Sequence, residues 1–376
     1  MQNAGLYLHI PFCERKCGYC DFYSVTTLDF RDQFVKSLLR EIEMISPLYR
    51  HLNFDTIFMG GGTPSLLSAH QLSQIWDVLD KSFHIVQTGE FTIEANPGTL
   101  DKEKLQNFRE IGFNRLSMGA QSFNPEDLIF LERIHSVEDI YQNFEAARAA
   151  GFANINLDLM TAFPGLTPKK FLYTLQETVS LQPEHISCYT LIFEPGTPFY
   201  RKMNRGKLVP LENEQEAEFY QITLDYLNEH GFTAYEISNF SRDEKWQCRH
   251  NLKYWDHHPY LGLGPSAHSF VSPKRWWNKK SIAAYVKKVS AGSIPVEREE
   301  SLSPESLEFE YIFLHLRLRD GLRFADFQER FNHDFLQKYD EALQKLADNE
   351  MIIQDDRRMR LSAKGWLFAD EVSSYF

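Results

Sequence analysis

The stretch Leu6-Tyr7-Leu8-His9-Ile10-Pro11-Phe12-Cys13-Glu14-Arg15-Lys16-Cys17-Gly18-Tyr19-Cys20 decides how this 376-residue chain reads. Leu6 to Ile10 has the apolar, β-favouring character of a strand, and Pro11 ends it. Cys13, Cys17 and Cys20 follow at C-x3-C-x2-C spacing. Thiols this close together make poor disulfide partners, so metal or redox chemistry is the better reading. Three thiolates suit three irons of a [4Fe–4S] cluster and leave the fourth iron open. A structural zinc site wants four ligands, and no fourth Cys or His follows at the usual spacing.

Working outward, the first half of the chain repeats one unit, a short β-rich run followed by a helical stretch. Strands are expected at Leu6–Ile10, Thr56–Met59, Phe91–Glu94, Arg115–Met118, Asn154–Asp158 and His185–Thr190. Helices are expected between them, over 29–45, 68–81, 101–111 and 168–181, with further helical segments ending at Gly151. Six successive βα units imply a parallel sheet with right-handed crossovers. The strands end in Gly60-Gly61-Gly62-Thr63-Pro64, Glu94-Ala95-Asn96, Gly119-Ala120-Gln121 and Asp158. In a parallel barrel such endings meet on one rim, where active sites sit. Turn residues also end strands for no functional reason, but a row of polar and Gly-rich endings argues for a site.

The alternation stops near Pro195. An irregular stretch over 195–206, an acidic amphipathic helix over 212–230 and an aromatic-, His- and Gly-rich run over 235–273 follow. The expected division is a barrel over 1–200, an irregular His- and aromatic-rich covering region over 201–300 and a winged-helix-like domain over 301–376. The last of these reads as helices over 305–318, 324–331 and 334–349, then a hairpin and a closing helix. Its long helix carries Asp334, Asp340, Glu341 and Asp348, which would meet phosphate poorly, so a docking module is preferred to a DNA binder.

Composition sets the bounds. About 150 residues per domain suggests two or three domains. Apolar residues at 43% and charged residues at 24% are those of a folded globular chain. A net charge of −12 argues against a general nucleic-acid partner. Thirty Phe and seventeen Tyr point to a large core or a large apolar ligand. No window approaches the roughly 18–20 apolar residues of a membrane span. No basic region followed by an apolar run opens the chain, so no integral membrane segment and a cytoplasmic location are expected.

The cysteine motif, placed after the first strand with Tyr19 before the last Cys, resembles that of the radical S-adenosylmethionine (SAM) superfamily. That resemblance implies an open six-unit (β/α)6 partial barrel holding a [4Fe–4S] cluster on Cys13, Cys17 and Cys20. SAM would close the cluster through its amino and carboxylate groups and yield a 5′-deoxyadenosyl radical on reduction. The segments Tyr7–Cys13, Gly60–Ser65, Ile93–Pro97, Met118–Phe123 and Asp158–Met160 resemble the coproporphyrinogen-oxidase-like branch over essentially the whole chain. The SAM contacts this implies are Tyr7, Tyr19, Gly61, Gly62, Thr63, Glu94, Gln121, Arg133 and Asp158. The glycines would let the backbone approach the methionyl amino group, and Glu94, Arg133 and Asp158 would serve an ammonium, a carboxylate and ribose hydroxyls.

Within that branch two signals diverge. Oxygen-independent coproporphyrinogen III oxidases carry C-x3-C-x2-C-x-C and a long N-terminal extension. Here Phe22 stands at the fourth cysteine place and twelve residues precede Cys13. His250-Asn251-Leu252-Lys253-Tyr254-Trp255 instead resembles the H-N-x-x-Y-W motif of HemW-type haem chaperones, followed by the Gly262–Ser269 stretch those proteins carry. The resemblance implies haem as ligand, apo-haemoproteins such as membrane-bound cytochromes as partners, and room for a homodimer. His250 stands as an axial haem ligand or as a histidine satisfied inside an aromatic core. Cys188 and Cys248 could be thiolate haem ligands, though free cysteines are more often small buried hydrophobes. A radical decarboxylase, another radical SAM tetrapyrrole enzyme and a DNA-binding regulator remain as alternatives.

Overall fold

The computed structural model describes residues 1–376. Its centre is the expected run of parallel strands: β1 (Gln2–Ile10), β2 (Leu52–Gly61), β3 (His84–Ala95), β4 (Arg115–Gln121), β5 (Asn154–Thr161) and β6 (His185–Thr190). They pair in sequence order, each parallel to the next. Five of the six run longer than the apolar pattern showed: β1 starts earlier, at Gln2, and β2 to β5 extend past their expected ends toward the residues that carry the candidate site.

Helices fill the crossovers where local sequence starts and stops them: α1 (Arg31–Ile45), α2 (Ala69–Ser82), α3 (Lys102–Ile111), α4 (Pro125–Phe130), α5 (Val137–Ala149) and α6 (Pro168–Ser180). Ser68 with Gln71, and Ser136 with Asp139, form capping boxes that satisfy backbone N–H groups at the starts of α2 and α5. Thr167 caps α6, and Pro168 sits where its missing N–H costs nothing. Each helix buries one stripe, such as Phe34, Leu38, Ile42 and Ile45 of α1, against the sheet.

Residues 201–300 correct the expectation of an irregular cover. The supposedly irregular stretch over 195–206 contains α7 (Pro198–Asn204), capped by Thr197, and α8 (Asn213–Glu229) follows. Short strands then lengthen the same sheet at both edges. Strands β7 (Thr233–Ala234) and β8 (Asn239–Ser241) add antiparallel beside β6. Strand β9 (Tyr260–Leu263) pairs parallel to β1, and β10 (His268–Val271), β11 (Lys274–Asn278) and β12 (Val296–Ser301) continue from it. The result is a twelve-stranded sheet in the order β12-β11-β10-β9-β1-β2-β3-β4-β5-β6-β8-β7, so the barrel stays open. Helices α9 (Arg249–Trp255) and α10 (Ile282–Ser290) complete this part.

The C-terminal segment has its own core, which includes Tyr311, Ile312, Leu316, Phe327, Phe335 and Met359. It orders as α11 (Pro304–His315), β13 (Leu322–Arg323), α12 (Phe324–Phe331), α13 (Phe335–Lys338), α14 (Asp340–Asp348), then the hairpin β14 (Ile352–Gln354) and β15 (Arg358–Leu361). This is the winged-helix order, with one correction. The long helix expected over 334–349 is two, because Tyr339 leaves helical geometry at φ −112° and ψ 20°. Its hydroxyl donates to Glu308 and its ring packs on Phe335 and Phe376. The closing helix is likewise two short turns, Ala363–Leu367 and Ala369–Ser373. No helix is long and apolar enough to cross a membrane.

Candidate functional site

The ends of β2 to β6 and the loop after β1 line one cavity of about 590 Å³. Cys13, Cys17, Tyr19 and Cys20 enter from the loop after β1, Gly61 and Gly62 from β2, Glu94 from β3, Gln121 from β4 and Asp158 from β5, while Arg133 reaches in from the loop after α4. The sheet therefore curls enough to bring side chains from five crossovers together, as the rim argument required. No residue of 201–300 lines this cavity, so that region does not cover it.

The cysteines face this space as free thiols. Burial raises the Cys13 thiol above its ordinary range and pushes that of Cys20 up to about 11. No three His, Cys, Asp or Glu side chains converge tightly enough to hold a single ion. A four-iron cluster spreads its corner ligands further apart than one ion does, so thiols around a shared cavity suit a cluster better than zinc. Two donors already aim at sulfur: Arg133 Nη1 donates to Cys17 Sγ at 3.6 Å, and Thr63 Oγ1 to Cys13 Sγ at 3.7 Å.

Asn96 joins those donors. Its Nδ2 donates to Thr63 Oγ1 at 2.8 Å, and its Oδ1 accepts from Arg133 Nη2, which also donates to the Gly119 carbonyl at 3.0 Å. Asn96 lies in the Ile93–Pro97 segment, where the sequence alone gives it no role of its own. What hides such a residue in the sequence is that its two partners are 33 and 37 positions away.

The glycines have reasons different from the expected approach to a ligand. A Cβ on Gly60 would lie 2.7 Å from the Glu94 carboxyl carbon, and one on Gly61 would lie 2.3 Å from His9 Nδ1. Gly61 also has φ +102°, a region that favours glycine. At Gly62 the obstacle is the Phe12 carbonyl at 2.5 Å. The run thus makes room for the protein's own Glu94, His9 and cysteine loop. Gly61 N–H then donates to Glu94 Oε2 at 3.0 Å, fixing the carboxyl at the cavity wall.

Burial, reinforced by the neighbouring Asp158, pushes the Glu94 carboxyl up to about 8. Burial also raises Asp158, although Ser117 Oγ and Asn156 Nδ2 donate to it at 3.1 and 2.8 Å. A buried carboxyl held neutral in this way gains most from a cationic ligand. Arg133 keeps its Nε buried with no protein partner, a donor aimed at an acceptor the protein does not supply. An unpaired guanidinium N–H and a carboxyl awaiting a cation are what the ends of an amino acid such as the methionyl part of SAM require, so the residues present fit that cofactor.

Two expected SAM residues do not reach the cavity. Tyr7 turns its hydroxyl to His9 Nδ1 at 3.0 Å, while His9 Nε2 donates to the Tyr23 carbonyl at 2.7 Å. Thr63 is 2% exposed and backs the cysteine loop. The cavity wall also includes Tyr189, Leu191, Ile192 and Glu194 on and after β6, which the sequence reading passed over because β6 ends without a polar or Gly-rich signal.

His250 is 1% exposed on α9, with Nδ1 bonded to Thr56 Oγ1 at 2.9 Å and Nε2 to the Tyr254 hydroxyl at 2.8 Å. Both nitrogens are taken and the ring stacks on Phe58, so of its two readings the structure shows the satisfied core histidine rather than an open axial ligand. Burial, together with Lys253, lowers it to about 3. Cys248 is fully buried with its thiol on Glu90, and Cys188 lies beside Thr223, both pushed up to about 12 by burial. Gly264 N–H, in the glycine-rich stretch, donates to the buried Glu41 carboxylate of α1 at 2.8 Å, as do Asn278 and the Tyr285 hydroxyl at 2.6 Å each. That stretch is anchored to the barrel rather than left free for a ligand. A second, larger cleft of about 1320 Å³ opens near the start of β1 against the C-terminal domain, but arginines and acids line it and no cysteine does.

Residues 7–178 match the model of the radical SAM superfamily, and residues 302–368 match that of the HemN C-terminal domain. The chain is 36% identical to the heme chaperone HemW of Bacillus subtilis, covering 98% of each protein. It is 34% identical to the protein of the same name from Mycobacterium tuberculosis, covering 99% of this chain and 94% of that one. It is also 30% identical to the mitochondrial radical S-adenosyl methionine domain-containing protein 1 of Danio rerio, covering 98% and 86%. Among solved structures, coproporphyrinogen III oxidase (HemN) from Escherichia coli, described as a radical SAM enzyme, superposes with TM-score 0.86 at 25% identity over 100% of this chain and 90% of that one.

Proposed function

We propose that this chain, which belongs to the HemW family of the radical SAM superfamily, is a haem chaperone that binds haem and passes it to apo-haemoproteins. The observation that carries this reading is likeness along the whole length, both domains included, to proteins named for that role. We assign the cluster to Cys13, Cys17 and Cys20, and SAM to Tyr19, Gly61, Gly62, Glu94, Gln121, Arg133 and Asp158 around the cavity. When bound, these groups supply one-electron chemistry. This chain's part is to hold the sulfurs under Arg133 and Thr63, to offer Glu94 to the N–H groups of an amine and Arg133 to a carboxylate, and to keep Asp158 oriented through Ser117 and Asn156. We place the protein in the cytoplasm, where its five free cysteines stay reduced. Its recipients are apo-haemoproteins, membrane-bound cytochromes among them.

The test is transfer: haem-loaded protein is mixed with an apo-cytochrome, and the recipient's Soret and α bands are followed. Appearance of holo-cytochrome faster than from free haem at equal concentration supports the reading. Transfer no faster than from free haem contradicts it.

The fold match to coproporphyrinogen III oxidase favours a second reading, oxidative decarboxylation of a porphyrinogen's propionates. It predicts loss of carbon dioxide from coproporphyrinogen under reducing, anaerobic conditions with SAM. An unchanged substrate mass excludes it.

A further inference from the structure

We propose that the haem sits at the mouth of the cluster cavity, between Phe22 on the cysteine loop and Ile192 on the loop after β6, with its carboxylates toward Arg15 and Lys16. This deepens the chaperone reading and rests on it.

The argument starts from exposure. Phe22 is 66% exposed and Ile192 64%, yet both line the same cavity, as does the 38% exposed Tyr189. Large apolar side chains gathered around one opening mark a site for an apolar ligand, whereas scattered ones need no explanation. Along the same cavity Gln121 is buried and Gly61, Glu94 and Asp158 are part-buried, so the exposed pair stand nearer to solvent than the polar strand ends. A flat macrocycle can rest against Phe22 and Ile192 while the deeper polar residues keep a different ligand. Arg15 and Lys16 line the same opening and are exposed, and Lys16 Nζ donates to the Phe22 carbonyl at 3.0 Å, which ties the cation to the aromatic platform. Apolar surfaces with two cations at one edge complement a planar apolar ring bearing two carboxylates. His250 offers no such place, since it is closed off by Thr56 and Tyr254.

The experiment is a haem titration of the full chain, read by the Soret band, on the wild type, Ile192→Asp, the double variant Phe22→Asp with Ile192→Asp, and Arg15→Glu with Lys16→Glu. All four side chains are exposed and only Lys16 holds another residue, the Phe22 carbonyl, so circular dichroism checks the fold of each variant. Because Phe22 lies two residues from Cys20, iron content is measured alongside, and Ile192→Asp, on a separate loop, stands free of that concern. The mouth site predicts about tenfold weaker haem binding for Ile192→Asp and more for the double variant, with a smaller loss for charge reversal. Wild-type affinity in Ile192→Asp and in the double variant overturns the mouth site while leaving the chaperone reading intact. Failure of the wild type itself to bind haem overturns that reading instead.

Discussion

Arg133 donates to the sulfur of Cys17 from 116 positions further along the chain, and with its other terminal nitrogen it holds the Gly119 carbonyl and Asn96. One cation therefore touches a cysteine of the C-x3-C-x2-C motif and the end of β4, and it keeps Nε in reserve. Hydrogen bonds to cysteine sulfur favour the state with more electron density on the cluster, which raises its reduction potential. Arg133→Met should lower the midpoint potential of the reconstituted cluster, measured by anaerobic redox titration. It should also weaken SAM binding about tenfold, the order of one charge-assisted hydrogen bond. An unchanged potential would remove Arg133 from the cluster's surroundings.

If Glu94 receives SAM, the affinity should depend on pH. With its carboxyl pushed up to about 8 by burial and by Asp158, it is neutral in the free protein at pH 6 and must lose its proton to accept from the amino N–H groups of SAM. An amino group that ligates iron is itself neutral, so binding releases protons from both partners and affinity rises with pH from 6 to about 8. Calorimetry in buffers of different ionisation enthalpy would show the release directly. The Glu94→Gln variant should bind weakly and with a shallower slope.

Glu41 supports the glycine-rich stretch through three donors. Glu41→Leu strands them all in the core and should cost about 3 kcal/mol or more, read as a lower midpoint in denaturant. Burial raises the Glu41 carboxyl to about 7 in the folded chain. Its neutral form is the one folding favours, so its contribution is full below the unfolded carboxyl range and is lost as pH rises through 7. In Glu41→Gln that part of the pH dependence of stability should vanish.

His250→Ala separates architecture from ligation. Removing the ring empties space between Phe58 and Tyr254 and leaves the Thr56 hydroxyl without its partner, a loss of about 2–4 kcal/mol. Thermal unfolding should show that loss while haem affinity stays near that of the wild type. A stable variant that has lost haem would reverse the assignment.

The barrel was legible because each βα unit carries its own signals: an apolar strand, a cap such as Ser68 or Thr167, and a polar strand ending. The cysteine loop was legible from spacing alone. The flanking strands were not, since β9 finds β1 across some 250 residues and runs only from Tyr260 to Leu263, too short for a periodic pattern. Nor was the fate of His250, because the motif shows which residues are near in sequence, while Thr56 lies 194 positions away. The break at Tyr339 was hidden for the same reason, its partner Glu308 belonging to another helix. Glycine spacing marked Gly60 to Gly62 as special, but only the fold shows that Glu94, His9 and Phe12 occupy the space.

The most direct test of the central claim is an anaerobic haem titration of the cluster-reconstituted chain, following the Soret band to saturation. The account predicts saturable binding of a single haem per chain, lost in the Phe22→Asp, Ile192→Asp double variant and kept in His250→Ala. A wild type whose Soret band grows without saturation, as haem does in buffer, would contradict it.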